Sequence, residues 1–454
     1  MNTFNLTPSR RSFLKSSASA VALSMLGPYA LDITLRSKPW RVALIGTGWY
    51  GKSDLMRLIQ VANIEVVGLC DVDKNQLQGA AELVKERMGL SKKPPCFSDY
   101  KKMLRSQTPE IVLIGSPDHW HALQAIDSIK AGAHVYLQKP ISLDVLEGEA
   151  ILSNARKYNR VVQIGTQRRS TPHLVAAKER IIDSGLLGNI SHVEMCCYYH
   201  MRMNKPHQLG EIPKELDYNQ WVGPATYLPY EMSPHRGWWR GKREYCNGIM
   251  GDMCVHMYDA VRWMLDLGWP IEVSSTGGIY VQKDSTATTA DTQHAIFKHE
   301  KLNCVWQHRS WGTAPDPDYP WGFFIYGDKG TLKGSVHKFE FESRDKSTKI
   351  SDTALFEKEK YPEDINEKSI ELHVASATRR HFIDFLGAIE NKSLPVADIK
   401  QGHISTASCI LANMSMDLEM PLQYDPSKQT IINNLQANMH LKRNYREGWE
   451  HPWV

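Results

Sequence analysis

The sequence contains no long run of basic residues, and its net charge is small for its length. Its 454 residues carry a formal net charge of +4, with 23% charged and 42% hydrophobic residues. A protein that binds nucleic acid through the phosphates concentrates Lys and Arg on one face or in one segment. The composition therefore argues against nucleic acid as the main partner. The length predicts two domains rather than one.

No apolar run near the N-terminus is long enough to span a membrane, because residues 18–31 are interrupted at Gly27-Pro28. This stretch follows Arg10-Arg11, which lies in the sequence Ser-Arg-Arg-Ser-Phe-Leu-Lys. The order is typical of a twin-arginine export signal. We therefore expect residues 1–35 to be a signal outside the fold, the export machinery to be a partner and the protein to be periplasmic. The alternative is an ordinary N-terminus with a chance pair of arginines.

The eight cysteines lack the spacing of a disulfide-rich scaffold or a zinc site. Cys196 and Cys197 are adjacent in a strand pattern, and Cys254 lies in a helical pattern, so we expect buried thiols. Two groups contain histidine at a spacing that could bind metal, His119–His121 and Asp252–His256, but neither has an evident third ligand. We therefore predict no metal site.

A glycine-rich loop provides the strongest functional motif. An apolar strand pattern ends in Gly46-Thr47-Gly48-Trp49-Tyr50-Gly51, and a helical pattern follows. In a strand–turn–helix unit the three glycines allow a tight turn, close approach of a pyrophosphate and close packing of the helix. Asp71 ends the next strand about 20 residues later, where a carboxylate can bind the adenosine ribose. All seven residues are predicted to contact a bound dinucleotide. NAD is favoured over NADP, because Asp71 would repel the 2′-phosphate of NADP. The alternative is a glycine turn without a ligand.

Residues 38–165 alternate between apolar strand patterns and helical patterns. The strand patterns are Arg41–Ile45, Ile64–Cys70, Ile111–Ile114, His134–Leu137 and Val161–Ile164. The helical patterns are Lys52–Ala62, Lys74–Arg87, Trp120–Ala131 and Leu143–Tyr158. Continuous apolar strands separated by helices predict an α/β domain with a doubly wound parallel sheet. Its ligand should bind at the carboxyl ends of the strands.

Polar residues follow three of these strands and are further candidates for cofactor contacts. They are Ser116, Pro117 and His121, then Gln138 and Lys139, and finally Gln167. Lys139 could hydrogen-bond a reacting hydroxyl group or serve as its base, and the alternative is a solvated loop lysine. Asp118 could instead cap the following helix.

Residues 166–420 predict an α+β domain with a large, mostly antiparallel open sheet. The strand patterns are Ser191–His200, Ile271–Val281, Asp291–Phe297, Leu302–Arg309, Gly322–Tyr326 and Val336–Phe341. The helical patterns are His173–Ser184, Asp252–Leu265, Ala375–Ile389 and Gly402–Leu418. Residues 343–370 are predicted to be an exposed loop, and residues 421–454 form a tail without a strong period. Because one face of an open sheet needs a cover, we expect a homo-oligomer.

The second domain contains a further group of candidate residues. Asp252 and His256 are four residues apart and share a helix face, so the carboxylate could orient the imidazole as a base. The alternative is a capping Asp and a core His. Candidate substrate-binding residues are Arg168, Tyr199, Trp238, Trp239 and Arg240. Such side chains can bind a sugar ring or pack between domains.

Together these motifs resemble the Gfo/Idh/MocA oxidoreductase family, which includes glucose–fructose oxidoreductase and inositol dehydrogenase. The resemblance runs from about residue 40 to the C-terminus and rests on the glycine loop, Asp71, Pro117–His121, Gln138–Pro140 and Asp252–His256. It implies a hydride-transfer site with Lys139, Asp252 and His256 at the substrate hydroxyl. Two residues depart from the family pattern, since Gln138 replaces a Glu and Asp118 replaces an Asn.

The resemblance and the export signal together predict an exported NAD-dependent oxidoreductase that acts on a secondary hydroxyl of a sugar or glycoside, with 3-keto-glycosides among the products considered. In this interpretation His256 removes the hydroxyl proton, Asp252 orients His256 and Lys139 polarises the oxygen. One alternative is a redox-assisted glycosidase or lyase with tightly bound, recycled NAD. Another is a non-catalytic sugar-binding scaffold that retains NAD.

Overall fold

The computed structural model describes residues 38–199, 204–231, 238–366 and 372–453. The predicted export signal, residues 1–35, therefore lies outside the described residues. Within the described ranges, none of the helices combines the length and the apolar character that crossing a bilayer requires.

Six parallel strands form the first sheet, in the order β3-β2-β1-β4-β5-β6. They are β1 (Trp40–Ile45), β2 (Ile64–Cys70), β3 (Cys96–Phe97), β4 (Ile111–Ile114), β5 (His134–Leu137) and β6 (Val162–Ile164). The helices between them are α1 (Trp49–Val61), α2 (Lys74–Arg87), α3 (Tyr100–Gln107), α4 (His121–Lys130) and α5 (Val145–Lys157). The predicted doubly wound parallel sheet is confirmed.

Two elements of this domain fall outside the predicted patterns. β3 has only two residues, and α3 is a short helix capped by Asp99, which accepts hydrogen bonds from the backbone N–H groups of Lys101 and Lys102. In addition, α1 begins at Trp49 rather than at Lys52. Such short or polar segments contain too few apolar residues for a periodic pattern.

Eight strands form the second sheet, in the order β14-β13-β12-β11-β7-β10-β9-β8. They are β7 (Ile190–Cys197), β8 (Glu272–Gly278), β9 (Thr292–Lys298), β10 (Asn303–Arg309), β11 (Trp321–Gly327), β12 (Gly330–Ser335), β13 (Lys338–Ser343) and β14 (Lys349–Thr353). Neighbouring strands are antiparallel, except that β7 and β10 are parallel. The predicted large, mostly antiparallel sheet is confirmed.

One face of the second sheet packs on helices. The helices after β6 are α6 (Pro172–Ala177), α7 (Tyr218–Val222), α8 (Val255–Met264), α9 (Leu372–Glu390) and α10 (Ile399–Leu418). Phe297, Trp306 and Phe323 are fully buried in one cluster with residues of α8 and α10. The opposite face carries exposed side chains such as Ile296. Oligomer formation, which was inferred from the need to cover that face, stays a prediction.

The prediction that residues 343–370 form an exposed loop is wrong in part. β14 lies within this range and pairs with β13, and a 3-10 turn spans Pro362–Asn366. The side chains of this edge strand are mostly exposed, so it lacks the apolar alternation by which strands are recognised. The eight cysteines are free thiols and, apart from Cys96, are buried as expected.

Two C-terminal segments return to the first sheet. Phe382 and Phe385 of α9 are buried in one cluster with Leu55 of α1 and Tyr136 of β5. After a short strand pair, β15 (Tyr424–Asp425) and β16 (Thr430–Ile431), and the helix α11 (Leu435–Asn438), the last described residues also lie against the first sheet. The domain boundaries near residues 165 and 420 stay predictions.

Candidate functional site

The loop between β1 and α1 requires glycine at two positions and leaves a third open. Gly46 has a φ of +84°, and a Cβ there would lie 2.5 Å from the backbone nitrogen of Ser116. A Cβ on Gly51 would lie 2.0 Å from the carbonyl oxygen of Gly46. At Gly48, by contrast, a Cβ would meet nothing within 4 Å. This open space beside the first N–H groups of α1 fits an approaching pyrophosphate.

A cleft of about 1430 Å³ lies at the carboxyl ends of the first sheet's strands. The predicted cofactor residues that line it are Gly46, Gly48, Trp49, Tyr50, Asp71, Ser116 and Pro117. The remaining predicted cofactor residues do not line it: Thr47, Gly51, His121, Gln138, Lys139 and Gln167. The cleft has the dimensions and the glycine-lined entrance that a dinucleotide requires.

The carboxylate of Asp71 is positioned by its own neighbours. Its Oδ2 accepts hydrogen bonds from the backbone N–H and the hydroxyl of Thr47, at 2.7 and 2.9 Å, and its Oδ1 accepts one from the N–H of Asp73 at 2.9 Å. Burial raises the pKa of Asp71, and these donors partly offset that effect. Oδ2 already accepts two hydrogen bonds, whereas Oδ1 accepts one and can accept a second, so Asp71 can bind a ribose hydroxyl of NAD.

His121 joins the loops that follow β4 and β5. Its Nδ1 lies 2.7 Å from the carbonyl oxygen of Pro140, and its Nε2 lies 2.8 Å from that of Ser116. Burial lowers the pKa of His121 to about 4, so the neutral ring donates only one of these hydrogen bonds. The Ser116 hydroxyl donates to Oε1 of Gln124 at 2.6 Å. The contacts of Ser116 with His121 and Gln124 therefore hold the loop that places Ser116 at the cleft.

Gln138 and Gln167 also point to protein partners. Nε2 of Gln138 donates to Oδ2 of Asp54 at 2.6 Å, and Nε2 of Gln167 donates to the hydroxyl of Tyr50 at 2.6 Å. Asp54 is buried, so a Glu at position 138 would place a second acid beside it. This contact gives a physical reason for the departure from the usual Glu.

Lys139 and Asp252 meet where the two sheets adjoin. Nζ of Lys139 donates to Oδ1 of Asp252 at 2.7 Å and to its backbone carbonyl at 2.8 Å. Nε of Arg240 lies 3.4 Å from the other carboxylate oxygen. The Lys139 and Asp252 side chains are only 12% and 10% exposed, so Lys139 is not a solvated loop lysine. Asp252 lies within the π-helical turn Met250–Cys254 and pairs with Lys139 rather than capping a helix.

The predicted contact in which Asp252 orients His256 is not observed. The Asp252 carboxylate forms ion pairs with Lys139 and Arg240. Nδ1 of His256 is buried without a hydrogen-bond partner among the described residues. Burial, reinforced by Lys139 and Arg168, lowers the pKa of His256 well below its usual value. This shift favours the neutral form of the His256 imidazole.

Trp321 at the start of β11 is a site residue that the motifs did not reveal. Its ring lies 5.5 Å from that of His256 and 6.3 Å from that of Tyr199, and the Arg168 guanidinium lies 5.3 Å from its centre. Its indole N–H donates to the carbonyl of Met253 at 3.2 Å. Trp321 thus connects two predicted substrate residues with His256. The sequence signal was the aromatic run Tyr-Pro-Trp before an apolar strand.

Asp118 lies beside the same charged group. It does not cap α4, whose N-cap is Trp120 without a side-chain hydrogen bond. Burial raises the pKa of Asp118 well above its usual value, while Arg240 and Lys139 oppose this shift. A protonated Asp118 can donate a hydrogen bond, as the Asn of the family pattern would.

Trp239 and Arg240 pack in an aromatic cluster and border the cleft, and their contact with a sugar stays a prediction. Trp239 is buried in a cluster that includes Tyr218, Trp221 and Tyr245, and the Arg240 guanidinium lies 4.2 Å from its ring centre. Both residues also line the cleft. They therefore pack between the domains and border the site, whereas the Trp238 side chain lies outside the described residues.

Two family models match the chain. One, described as "Oxidoreductase family, NAD-binding Rossmann fold", matches residues 40–166, and the other, described as "Oxidoreductase family, C-terminal alpha/beta domain", matches residues 174–297. Together they cover more than half of the chain. They identify the first sheet as an NAD-binding domain.

Curated relatives include two kinds of enzyme. The chain is 28% identical over 179 residues to an inositol 2-dehydrogenase/D-chiro-inositol 3-dehydrogenase of Lactiplantibacillus plantarum, covering 39% of the chain and 46% of the relative. It is 26% identical over 161 residues to a glycosyl hydrolase family 109 protein of Akkermansia muciniphila, covering 34% and 33%. The matched regions thus span less than half the length of these relatives.

Solved structures share the whole architecture. A levoglucosan dehydrogenase in complex with NADH and levoglucosan aligns with a TM-score of 0.63 and 17% identity, over 85% of this chain and 99% of the other. At this identity the likeness establishes the fold.

Proposed function

We propose, on the premise that this chain belongs to the Gfo/Idh/MocA family of NAD-binding oxidoreductases, that it transfers hydride to or from a secondary hydroxyl-bearing carbon of a sugar or glycoside. The observation that carries the proposal is the ion pair of Lys139 and Asp252 next to neutral His256. These groups lie beside Arg240, which itself lines the NAD cleft. Hydride transfer from an alcohol requires such a proton acceptor near the cofactor.

The arrangement suits the following roles in oxidation. Bound NAD supplies the acceptor for the hydride that leaves the carbon. The Nζ group of Lys139 holds the hydroxyl oxygen by hydrogen bonding, and Asp252 keeps Nζ in place. The neutral imidazole of His256 takes the hydroxyl proton as the C–O bond becomes a carbonyl. Oxidation would thus leave a ketone and a protonated His256 once the nicotinamide has taken the hydride, and reduction would reverse these steps.

A sugar or polyol fits the surroundings of these groups. Trp321 and Trp239 offer aromatic surface, and Arg168 and Arg240 offer hydrogen-bond donors. Aromatic faces pack on the C–H groups of sugars, and charged donors bind their hydroxyls. Relatives named for inositol dehydrogenation support the same substrate class.

The test is the near-ultraviolet absorbance of reduced nicotinamide, measured on the NAD-loaded protein with a panel of sugars and glycosides. Lys139→Met and His256→Ala should each slow appearance of this band by about 10²–10⁴-fold, while NAD stays bound. Lys102→Met, which changes an exposed lysine of α3, is the matched control. Unchanged rates in the first two variants would contradict the assignment.

A redox-assisted glycosidase is the second candidate, because several relatives are named as family 109 glycosyl hydrolases or as an alpha-N-acetylgalactosaminidase. It predicts release of the aglycone from a chromogenic glycoside without net NADH. A band that persists without aglycone favours the dehydrogenase, whereas a band that decays as aglycone appears favours the glycosidase. Sugar binding with no band at all would indicate the non-catalytic scaffold.

The location of the protein is a separate part of the proposal. Arg10-Arg11 and the short apolar stretch behind it support twin-arginine export to the periplasm. Replacing both arginines with Lys should leave the protein in the cytoplasmic fraction. Periplasmic recovery of that variant would refute this route.

A further inference from the structure

Residues 443–453, which we call the C-terminal strap, are bound to the first domain by two buried carboxylates. Glu147 Oε1 accepts hydrogen bonds from Nε of Arg443 at 2.8 Å and from the hydroxyl of Tyr445 at 2.6 Å. Asp144 Oδ2 accepts one from the N–H of Arg443 at 3.0 Å and lies 2.9 Å from Nε2 of His451. The strap is therefore fixed near both ends.

These contacts are strong because the carboxylates are enclosed. Asp144 and Glu147 form the capping box of α5. Burial alone would raise the pKa of Glu147, but Arg443 and Tyr445 outweigh it, and the pKa of Glu147 is lowered. A charged, fully buried Glu147 requires its cation, so detaching Arg443 is unfavourable. The side-chain oxygen and nitrogen atoms of Asp144, Glu147 and His451 lie close together, and these three residues thus anchor the strap.

The middle of the strap lies on the NAD cleft. Residues 448–452 line the same cleft as the glycine loop and Asp71. The ring of Trp449 meets that of Trp120 edge to face, with centres 5.0 Å apart and planes at 87°. Trp120 and Leu123 line this part of the cleft as well. The end of the cleft bordered by the strap therefore contains an apolar, aromatic patch formed by Trp120, Leu123 and Trp449, and Glu450 and His451 of the strap line the cleft as well.

We propose that the C-terminal strap forms the outer wall of the adenosine site, with Trp449 against the adenine ring, and that it makes NAD a resident cofactor that exchanges slowly. The glycine loop takes the pyrophosphate and Asp71 takes the ribose, so the apolar end of the cleft is left for the base. Aromatic side chains bind nucleobases by stacking. Release of NAD then requires displacement of an anchored segment.

The inference rests on NAD binding and not on the identity of the sugar. A resident cofactor would suit a cycle in which the hydride is returned to the same substrate, but the strap has the same effect on NAD in either reaction. Cofactor exchange therefore tests the strap independently of turnover.

The experiment measures release of radiolabelled NAD from loaded protein after addition of excess unlabelled NAD. Wild-type protein should release the label slowly, and Trp449→Ala should release it about tenfold faster or more, since tenfold corresponds to ~1.4 kcal/mol and base–aromatic contacts contribute ~1–3 kcal/mol. Trp449→Phe should restore most of the retention. Trp453→Ala is the matched control, because Trp453 packs on the same apolar cluster as Trp449 but does not line the cleft.

Equal release rates in wild type and Trp449→Ala would overturn the proposal, as would equal acceleration by Trp449→Ala and Trp453→Ala. Thermal midpoints of the variants establish that each is folded. Sugar oxidation by the wild-type protein, assayed separately, distinguishes the two proposals. Faster exchange in Trp449→Ala together with wild-type oxidation supports both proposals, and faster exchange in Trp449→Ala when the wild type oxidises no sugar supports the strap alone.

Discussion

Replacing Asp54 with Asn is expected to make the stability of the protein less dependent on pH between pH 5 and pH 7. The pKa of Asp54 is raised from 3.8 to about 8, because the effect of burial exceeds the opposing effect of the hydrogen bond from Gln138. The native state therefore keeps a proton that the unfolded chain releases. Asn retains the shape of Asp and can still accept the 2.6 Å hydrogen bond from Gln138.

The sign and the size of the effect follow from linkage. Because the folded-state pKa is the higher one, the stabilisation from this group is complete below pH 4 and is lost as the pH rises toward 8. Each pH unit in that window removes about 1.4 kcal/mol of unfolding free energy. Between pH 5 and pH 7, wild type should thus lose about 3 kcal/mol more unfolding free energy than Asp54→Asn.

Urea unfolding of the NAD-free proteins at pH 5, 6 and 7 measures this difference. Glu86→Gln, which alters an exposed carboxylate of α2, is the control and should follow the wild-type curve. Parallel pH curves for wild type and Asp54→Asn would refute the conclusion that the folded protein protonates Asp54.

Two further predictions concern the cofactor loop and Trp321. Gly48→Ala should weaken NAD binding at least tenfold in a titration and leave the thermal midpoint unchanged, because the added methyl group would contact no protein atom within 4 Å. Gly51→Ala should lower the thermal midpoint, because its Cβ would lie 2.0 Å from the carbonyl oxygen of Gly46. Trp321→Leu should lower kcat/KM for the sugar about tenfold, because it loses ring contacts worth ~1–2 kcal/mol, and Trp321→Phe should lower it less. Equal kcat/KM values for wild type and both variants would refute a role for the ring.

Local sequence patterns were sufficient for most of the first domain. Continuous apolar strands and their intervening helices depend on neighbours within a few residues, so periodicity reports them directly. The glycine loop is equally local, because Gly46 and Gly51 are required by close backbone contacts and Gly48 leaves space for the ligand. β3, α3 and β14 were not predicted, because short or exposed elements contain little periodic signal.

The candidate site was identified only as a set of residues. Spacing placed Asp252 and His256 on one helix face, yet Asp252 pairs with Lys139, which is 113 positions away in the chain. No local pattern reports which cation a carboxylate will meet when two domains pack. Trp321 was missed because its relation to Arg168 and His256 exists only after β11 has joined the second sheet.

The sequence by itself determined the NAD-binding loop, the two kinds of sheet and the residue types at the site, because these depend on short-range sterics and hydrophobic periodicity. Tertiary structure alone decided how those residues are paired and how the cleft is closed. The contact between Arg443 and Glu147 spans 296 positions, and it brings a tail without any period onto the cofactor site. Such contacts depend on burial and charge compensation in the assembled fold, which a linear pattern does not contain.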